Sequence, residues 1–386
     1  MDVRNSLGGL PQHKCLINLG KRKPHRIRHN KTTALPSYFL FFDTETTEKD
    51  IGNGERKQVL RLGWVVRVYR DKRRNKVSEK WMEFRTKEEF WDFVEQSVPD
   101  GKRMWCFAHN IDFDFRVLEG FRFLHQRGWE IKTFVYDSKN IILHFRKGRK
   151  SLLFLDTFNY FKGSVKKMGE SIGLEKLEVD FATVSDEELS KYCKRDVEII
   201  KEFMMRFVDF IEQNDLGSLQ KTLASQAFSA FRHRFMRHSI FVHNNVEVIE
   251  LERESYRGGR TEAFYIGRLP QGKYYKLDVN SMYPYVMRER VYPTKLIRLE
   301  KNPTISGLKR ALQRFFVIAH LRVRVDKPIV AVKTERLIFP VGEFDCVITS
   351  PEIELVLKHG EIVKVYKYAI YEQHRIFVDY VDFFYS

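Results

Sequence analysis

Cysteine is scarce in this chain, with four residues in 386: Cys15, Cys106, Cys193 and Cys346, all widely separated. No Cys-x-x-Cys pair offers zinc a site, and no framework of disulfides suggests itself, so a reducing compartment is expected. Long apolar runs are missing as well. None approaches the roughly 20 residues that span a bilayer, and the N-terminus lacks the charged, apolar, small order of a secretory signal. An intracellular, cytoplasmic protein with no membrane partner is the expectation. There is no internal repeat and no low-complexity tract. Acidic residues are outnumbered, 51 against 68 basic ones, which leaves a formal charge of +17.

That charge points to a polyanionic partner. Basic residues gather at Lys21-Arg22-Lys23 with Arg26 and Arg28, at Lys72-Arg73-Arg74, and at Arg146-Lys147 with Arg149-Lys150. Nucleic acid gains affinity from such clusters by counterion release. An acidic membrane surface fits less well, since no basic helix with a clean apolar face accompanies the charge. Hydrophobic residues at 43% and aromatics at 14% are ample for packed cores, and the length suits two domains or three pieces.

Residues 1–35 are polar, basic and without periodicity, and read as a flexible arm. A first domain is expected over 36–215, a second over 216–386. In the first, strand-like stretches at 38–42, 59–69 and 104–108 alternate with helical ones, and 140–145 with 151–156 reads as a hairpin around Lys147-Gly148-Arg149. This mixture predicts an α/β sandwich. Ser185-x-x-Glu188 is a capping box opening a helix to about 211, closed by Asn214-Asp215-Leu216-Gly217. A second amphipathic helix is expected with Leu219, Leu223, Phe228, Phe231 and Phe235 on its apolar face. Leu321, Val323 and Val325 alternate with Arg322 and Arg324 as in a half-buried strand.

Within this frame the most informative string is Phe41-Phe42-Asp43-Thr44-Glu45-Thr46-Thr47. Alternation along a strand puts Asp43 and Glu45 on one side, and two close acids repel unless a cation lies between them. Hard divalent ions prefer such oxygen ligands. Downstream come Asn110-Ile111-Asp112-Phe113-Asp114, after a buried strand, and Tyr192-Cys193-Lys194-Arg195-Asp196, where i and i+4 share a helix face. Singly, each has an ordinary structural reading: Asp114 caps a helix, Tyr192 and Asp196 form an amphipathic pair, Phe113 belongs to a core. Jointly, the order and the strand, strand–helix and helix contexts suit a two-metal 3′–5′ exonuclease. Tyr192, too weak a base at neutral pH, would orient the attacking water.

Here the chain resembles the exonuclease domain of family B DNA polymerases, in the bacteriophage and linear-plasmid branch that is often protein-primed. The resemblance implies that Asp43, Glu45, Asp114 and Asp196 bind two Mg²⁺ or Mn²⁺ ions. It also implies that Thr46, His109, Asn110, Phe113, Thr157 and Phe158 hold a single-stranded 3′ end. A lysine that assists catalysis precedes the third motif in that branch; aligning Val179-Asp180-Phe181 makes it Lys176, with Lys166 and Lys167 nearby.

A second constellation begins at Tyr256-Arg257-Gly258-Gly259-Arg260, a loop whose glycines let the backbone approach a ligand and whose arginines suit phosphates. Lys276-Leu277-Asp278-Val279-Asn280-Ser281-Met282-Tyr283-Pro284 then reads as an acid at the end of an apolar strand, followed by a tight turn and a helix. The two resemble the Tyr-x-Gly-Gly loop and first palm motif of the same branch, with Met282 in place of leucine. The resemblance implies that Asp278 binds the catalytic metals, that Ser281 and Tyr283 meet the incoming nucleotide, and that residues 256–259 contact template.

The implied fold class is therefore α/β, a ribonuclease-H-like 3′–5′ exonuclease domain followed by an incomplete α+β polymerase palm. The family's Asp-Thr-Asp turn and its fingers helix with Asn-Ser-x-Tyr-Gly do not occur in these 386 residues, so a truncated or split polymerase is expected, acting as an exonuclease. Implied partners are single-stranded and primer-template DNA, deoxynucleotides only where the rest of the palm is supplied, and a priming terminal protein. Two rivals stay open: a stand-alone exoribonuclease using the same four acids, and a non-catalytic basic DNA-binding remnant.

Overall fold

The structure is a computed structural model and describes residues 23–52, 55–71, 76–137 and 140–385. Basic residues 21–22 and 72–74, Cys15 and most of the expected arm lie outside these. The chain divides into two compact units, Asn30–Arg234 and one that runs from Phe235 onward and takes in residues 23–29. Inside the second, His25–Arg26 pairs antiparallel with Phe241–Val242. Among the described residues no helix is long and apolar enough to cross a membrane.

The first unit is built on a seven-stranded mixed sheet. Its strands are β1 (Tyr38–Gly52), β2 (Glu55–Asp71), β3 (Lys76–Phe84), β4 (Arg103–Ala108), β5 (Glu130–Tyr136), β6 (Ile141–Lys147) and β7 (Lys150–Asp156), in the order β3-β2-β1-β4-β7-β6-β5. β1, β4 and β7 run parallel in the middle, and antiparallel pairs flank them on both sides. This is the ribonuclease-H-like arrangement expected from the sequence. The expected hairpin forms as β6 and β7, closing at Lys147 and Lys150.

β1 is apolar at consecutive positions because both its faces are covered. Leu40 and Phe42 pack with Val65, Met104, Phe90 and Trp91, on the side taken by helix α1 (Lys87–Ser97). Phe39 and Phe41 are equally buried on the other face, where Phe41 stacks on Phe107 at 5.6 Å. Asp43 and Glu45 continue the parity of Phe39 and Phe41. They therefore meet the elements that cover that second face.

Short helices α2 (Ile111–Val117) and α3 (Gly120–Gln126) follow β4, and α4 (Val165–Ile172) follows β7. Next comes the long helix α5 (Asp186–Gln213), opened by the expected capping box of Ser185 with Glu188. Leu189, Tyr192 and Cys193 of α5 pack on Leu62 of β2.

The next helix departs from expectation. α6 (Leu223–Ala230) is two turns long and gives way to a π-type turn at Phe231–Phe235, while Leu219 lies before it. The wider π turn breaks the 3.6-residue face, so Leu223 and Phe228 are half exposed while Phe231 and Phe235 are buried. Gln226 faces inward instead, because its side chain accepts from Gln220 N–H (2.9 Å) and donates to the Leu216 carbonyl (3.3 Å).

The second unit holds α7 (Val246–Ser255), α8 (Met282–Glu289), β8 (Tyr292–Glu300), α9 (Ile305–Leu312), β9 (Phe316–Val325), β10 (Gly342–Thr349), α10 (Ser350–His359), β11 (Gly360–His374) and α11 (Val378–Tyr385). Its four-stranded sheet, β8-β11-β9-β10, is antiparallel throughout, and α9 and α10 supply Leu308, Ile353 and Val356 to its core. Leu321, Val323 and Val325 are buried as expected. The strand expected to end in Asp278 does not form. Residues 256–280 are irregular and Leu277 is 90% exposed, since a strand persists only where a neighbour takes its backbone hydrogen bonds, and among the described residues none does.

Gly63 of β2 pairs with Thr44. A Cβ there would run into the Phe84 ring and stand 2.8 Å from the Asp43 carbonyl oxygen. Gly63→Ala is expected to destabilise the protein by about 1–3 kcal/mol through overpacking, read as a fall in thermal midpoint; an unchanged midpoint would show that this strand end is loosely held.

Candidate functional site

Four carboxylates meet where β1 leaves the core. Asp43 and Glu45 come from β1 and Asp196 from one turn beyond Tyr192 on α5. Asp114 comes from the first turn of α2 and does not cap its own helix. It accepts from the Thr44 backbone N–H (3.0 Å) and from the Thr44 hydroxyl (2.6 Å), which ties α2 to the strand end. Asp114 and Asp196 are both buried.

Burial raises every one of these acids. Asp43 is held well above the usual carboxylate range by burial first, then by the charges of Asp114, Asp196 and Glu45. Burial, reinforced by Asp196 and relieved by Lys176, pushes Glu45 up to about 7. Burial takes Asp114 up to about 8 against the pull of its Thr44 hydrogen bonds. Asp196 is raised by burial, with Lys176 opposing.

Lys176 is the cation of this cluster. Its Nζ donates to Asp196 Oδ2 and stands 4.4 Å from the Tyr192 ring centroid. Burial lowers the ammonium's pKa, but Asp196 and Tyr192 outweigh it and the net shift is upward. Lys166 instead pairs with Glu178 at the surface, 3.1 Å away. Burial also raises the Tyr192 phenol, so it keeps its proton at neutral pH.

One lysine does not balance four acids. Asp196 Oδ1 is buried and accepts no hydrogen bond. Oxygens of Asp43 and Glu45 and the sulfur of Cys193 lie within 4.8 Å of one another. An orphaned carboxylate oxygen beside acids that burial has forced upward fits a hard divalent cation.

A second layer surrounds the acids. His109 Nδ1 lies 2.8 Å from Thr157 Oγ1, and the His109 ring stacks near Phe158 with centroids 4.3 Å apart. Burial and then Lys176 lower His109 to about 4, so the imidazole is neutral. Phe113 is partly exposed. Asn110 sits in the left-handed region at φ 60° as the N-cap of α2. Thr46 is turned to Gln58, to which its hydroxyl donates at 2.7 Å.

The sequence reading passed over Asp156. Its carboxylate accepts from the N–H groups of Asn110 (3.3 Å), Ile111 (3.0 Å) and Phe158 (2.8 Å), fastening the α2 start to the Thr157–Asn159 turn. Its signal was present: it is an acid ending a buried strand, as Asp43 is. Cys193 was passed over too; its thiol donates towards the Asp43 carbonyl (3.5 Å) and Oδ2 (3.7 Å).

Residues 173–386, more than half of the chain, match the family described as DNA polymerase type B, organellar and viral. The chain belongs to that family. It is 25% identical over 215 residues to a probable DNA polymerase of Neurospora intermedia, which takes in 52% of this chain but 22% of that protein. Solved structures of phi29 DNA polymerase share its fold. The ternary complex with primer-template DNA and nucleotide matches with a TM-score of 0.61 at 17% identity, over 90% of this chain and 64% of that one. The complex with single-stranded DNA matches with a TM-score of 0.56 at 16% identity, over 90% and 63%. This type B polymerase chain thus spans less than two thirds of each. Family B polymerases use divalent metals.

The second constellation belongs to the other unit. Asp278 and Ser281 are exposed, Ser281 with φ 55° at the start of α8. A Cβ on Gly259 would lie 3.4 Å from the Tyr283 hydroxyl, so the loop and the Tyr283 motif are neighbours. Tyr256 and Gly258 are open to solvent or nearly so, but Arg257 turns inward. Its guanidinium meets Glu352 at 2.7 Å and donates to the Val347 carbonyl, so it braces the start of α10.

The raised acids set a pH dependence. Unfolded carboxyls titrate near 4.5 and below, whereas Glu45 and Asp114 in the fold titrate at about 7 and 8. Between those values the folded state holds more protons, so without divalent ions these groups cost stability as pH rises from about 4.5 through 8. Added Mn²⁺ at roughly a hundred times its dissociation constant is expected to raise the thermal midpoint by about 5–10 °C at pH 8 and by less at pH 6. An equal shift at both pH values, or none, would separate these acids from any metal.

Proposed function

We propose that the first unit is a divalent-metal-dependent 3′–5′ exonuclease acting on single-stranded DNA ends, the proofreading part of a type B replicative polymerase. The observation that carries this reading is the convergence of Asp43, Glu45, Asp114 and Asp196 on one buried, electrostatically incomplete point. Those four residues would hold Mg²⁺ or Mn²⁺, in a two-ion site. Bound there, the ions would supply Lewis-acid polarisation of a phosphodiester and an acidified water.

The chain's own residues do the rest. Tyr192, protonated, offers a hydroxyl that orients water without removing its proton. Lys176 offsets part of the negative charge and fixes Asp196. The Phe158 and Phe113 faces suit an unstacked terminal base, and neutral His109 with Thr157 and Asn110 suits the sugar–phosphate behind it. In the second unit Asp278, Ser281, Tyr283 and the Tyr256–Gly258–Gly259 loop are proposed for nucleotide and template contact. The Asp-Thr-Asp turn that carries the second carboxylate in the family does not occur in these 386 residues, so polymerisation by this stretch alone is not proposed. A priming protein partner is proposed only from the likeness to the phage and plasmid branch.

Asp43→Ala combined with Glu45→Ala should lower Mg²⁺-dependent digestion of oligo(dT) by about 10³-fold or more, several kcal/mol of transition-state stabilisation. Oligonucleotide binding in EDTA should stay near wild type. Undiminished digestion would end the metal assignment, and faster digestion of matched RNA than DNA would favour an exoribonuclease.

A further inference from the structure

The basic cluster at residues 146–150 plays no part in the carboxylate site. It borders a cavity of about 530 Å³ in the first unit. This cavity lies at the starts of the parallel strands, at Tyr38, Arg103 and Ser151. The acids and the Asn110 and Asp156 loops lie at the opposite ends of the same strands. The six residues of β4 set the two ends roughly 20 Å apart at ~3.3 Å per residue.

Lys102, Arg103, Arg146 and Arg149 line the cavity. Among the described residues Asp100 pairs with Arg149 at 3.4 Å, and Glu130, held low by Lys132 and then by Arg146, stands opposite Arg146 across β5 and β6. Among the described residues Arg103 hydrogen-bonds the Ser151 hydroxyl (3.4 Å) and Arg146 the Gly148 carbonyl (2.8 Å). Three other arginines of this unit have carboxylate partners: Arg61 with Asp186, Arg70 with Asp209, Arg127 with Asp92. His144, 2.8 Å from Ser151 Oγ, registers the excess charge. Burial and then Arg103, Lys221 and Arg146 bring it down to about 4. Like charges gathered round one hollow repel each other and favour an anion. Half-buried Tyr38, one face stacked on Tyr69 at 4.8 Å, and an edge of the buried Trp105 border the same wall, an aromatic margin that a bare phosphate or an acidic peptide would leave unused.

We propose that this cavity is a second single-stranded DNA site, where Arg103 and Arg146 hold phosphates and the part-exposed Tyr38 ring receives a base. It would anchor strand at the opposite end of the sheet from the acids. The choice of DNA as the polyanion rests on the function proposed above; the site itself does not depend on exonuclease chemistry.

The test is anisotropy of labelled oligo(dT) in EDTA across a salt series, with the full chain. Arg103→Gln with Arg146→Gln is expected to weaken binding of an oligomer of about 30 nucleotides by about tenfold and to reduce the salt slope by about 1–1.5. Mg²⁺-dependent digestion of an oligomer of about 4 nucleotides should be unchanged. The pair Lys102→Gln with Arg149→Gln changes exposed side chains that leave the core intact, and should give a smaller loss in the same direction. Wild-type affinity and slope in both pairs would overturn the proposal, as would polyglutamate displacing the long oligomer as well as unlabelled oligo(dT) does. Failure of the exonuclease reading shows differently, as no digestion of the short oligomer by the unsubstituted chain.

Discussion

Buried carboxylates repel one another, and the first unit is organised around a place where four of them cannot avoid meeting. β1 is apolar on both faces, so its end emerges from a low-dielectric interior and not from open water. Asp43 is lifted by burial before any neighbour acts, and the neighbours then add to it. Lys176 supplies one compensating charge, on one oxygen of Asp196, and leaves the other oxygen unsatisfied. A site tuned purely for stability would not leave such an atom, because an unpaired buried polar group costs about 1–3 kcal/mol.

What holds the acids together is a set of neutral hydrogen bonds placed one step behind them. Thr44 grips Asp114, and Asp156 gathers three backbone N–H groups from two loops. The left-handed Asn110 is affordable only because those N–H groups are satisfied. The scaffold is thus rigid where the ligands are mutually repulsive, which is the condition for a preorganised cation site.

The second unit follows a different logic. Its antiparallel sheet has a packed core, yet the segment bearing Asp278 lies outside it, exposed and, among the described residues, without ladder partners. Tyr283 and Gly259 are close to each other all the same. Local turn chemistry, with Ser281 in the left-handed region before α8, assembles that corner without a sheet beneath it.

Strand and helix periodicity, the Ser185 capping box and the order of the acidic motifs were legible in the residues alone, because they depend on neighbours two to four positions apart. Lys176 was singled out only through the family resemblance, and the structure sets it against Asp196. Other features were not legible. That α6 buries Gln226 and exposes Phe228 depends on a carbonyl and an amide contributed by the preceding loop. That Arg257 braces Glu352 depends on a helix almost a hundred residues later. That Asp278 has no strand depends on partners that no local pattern reports. Sequence by itself determined which side chains carry charge and on which face of an element they fall; only the tertiary structure decided how much water each charge keeps, because desolvation and pairing are set by elements far apart in the chain.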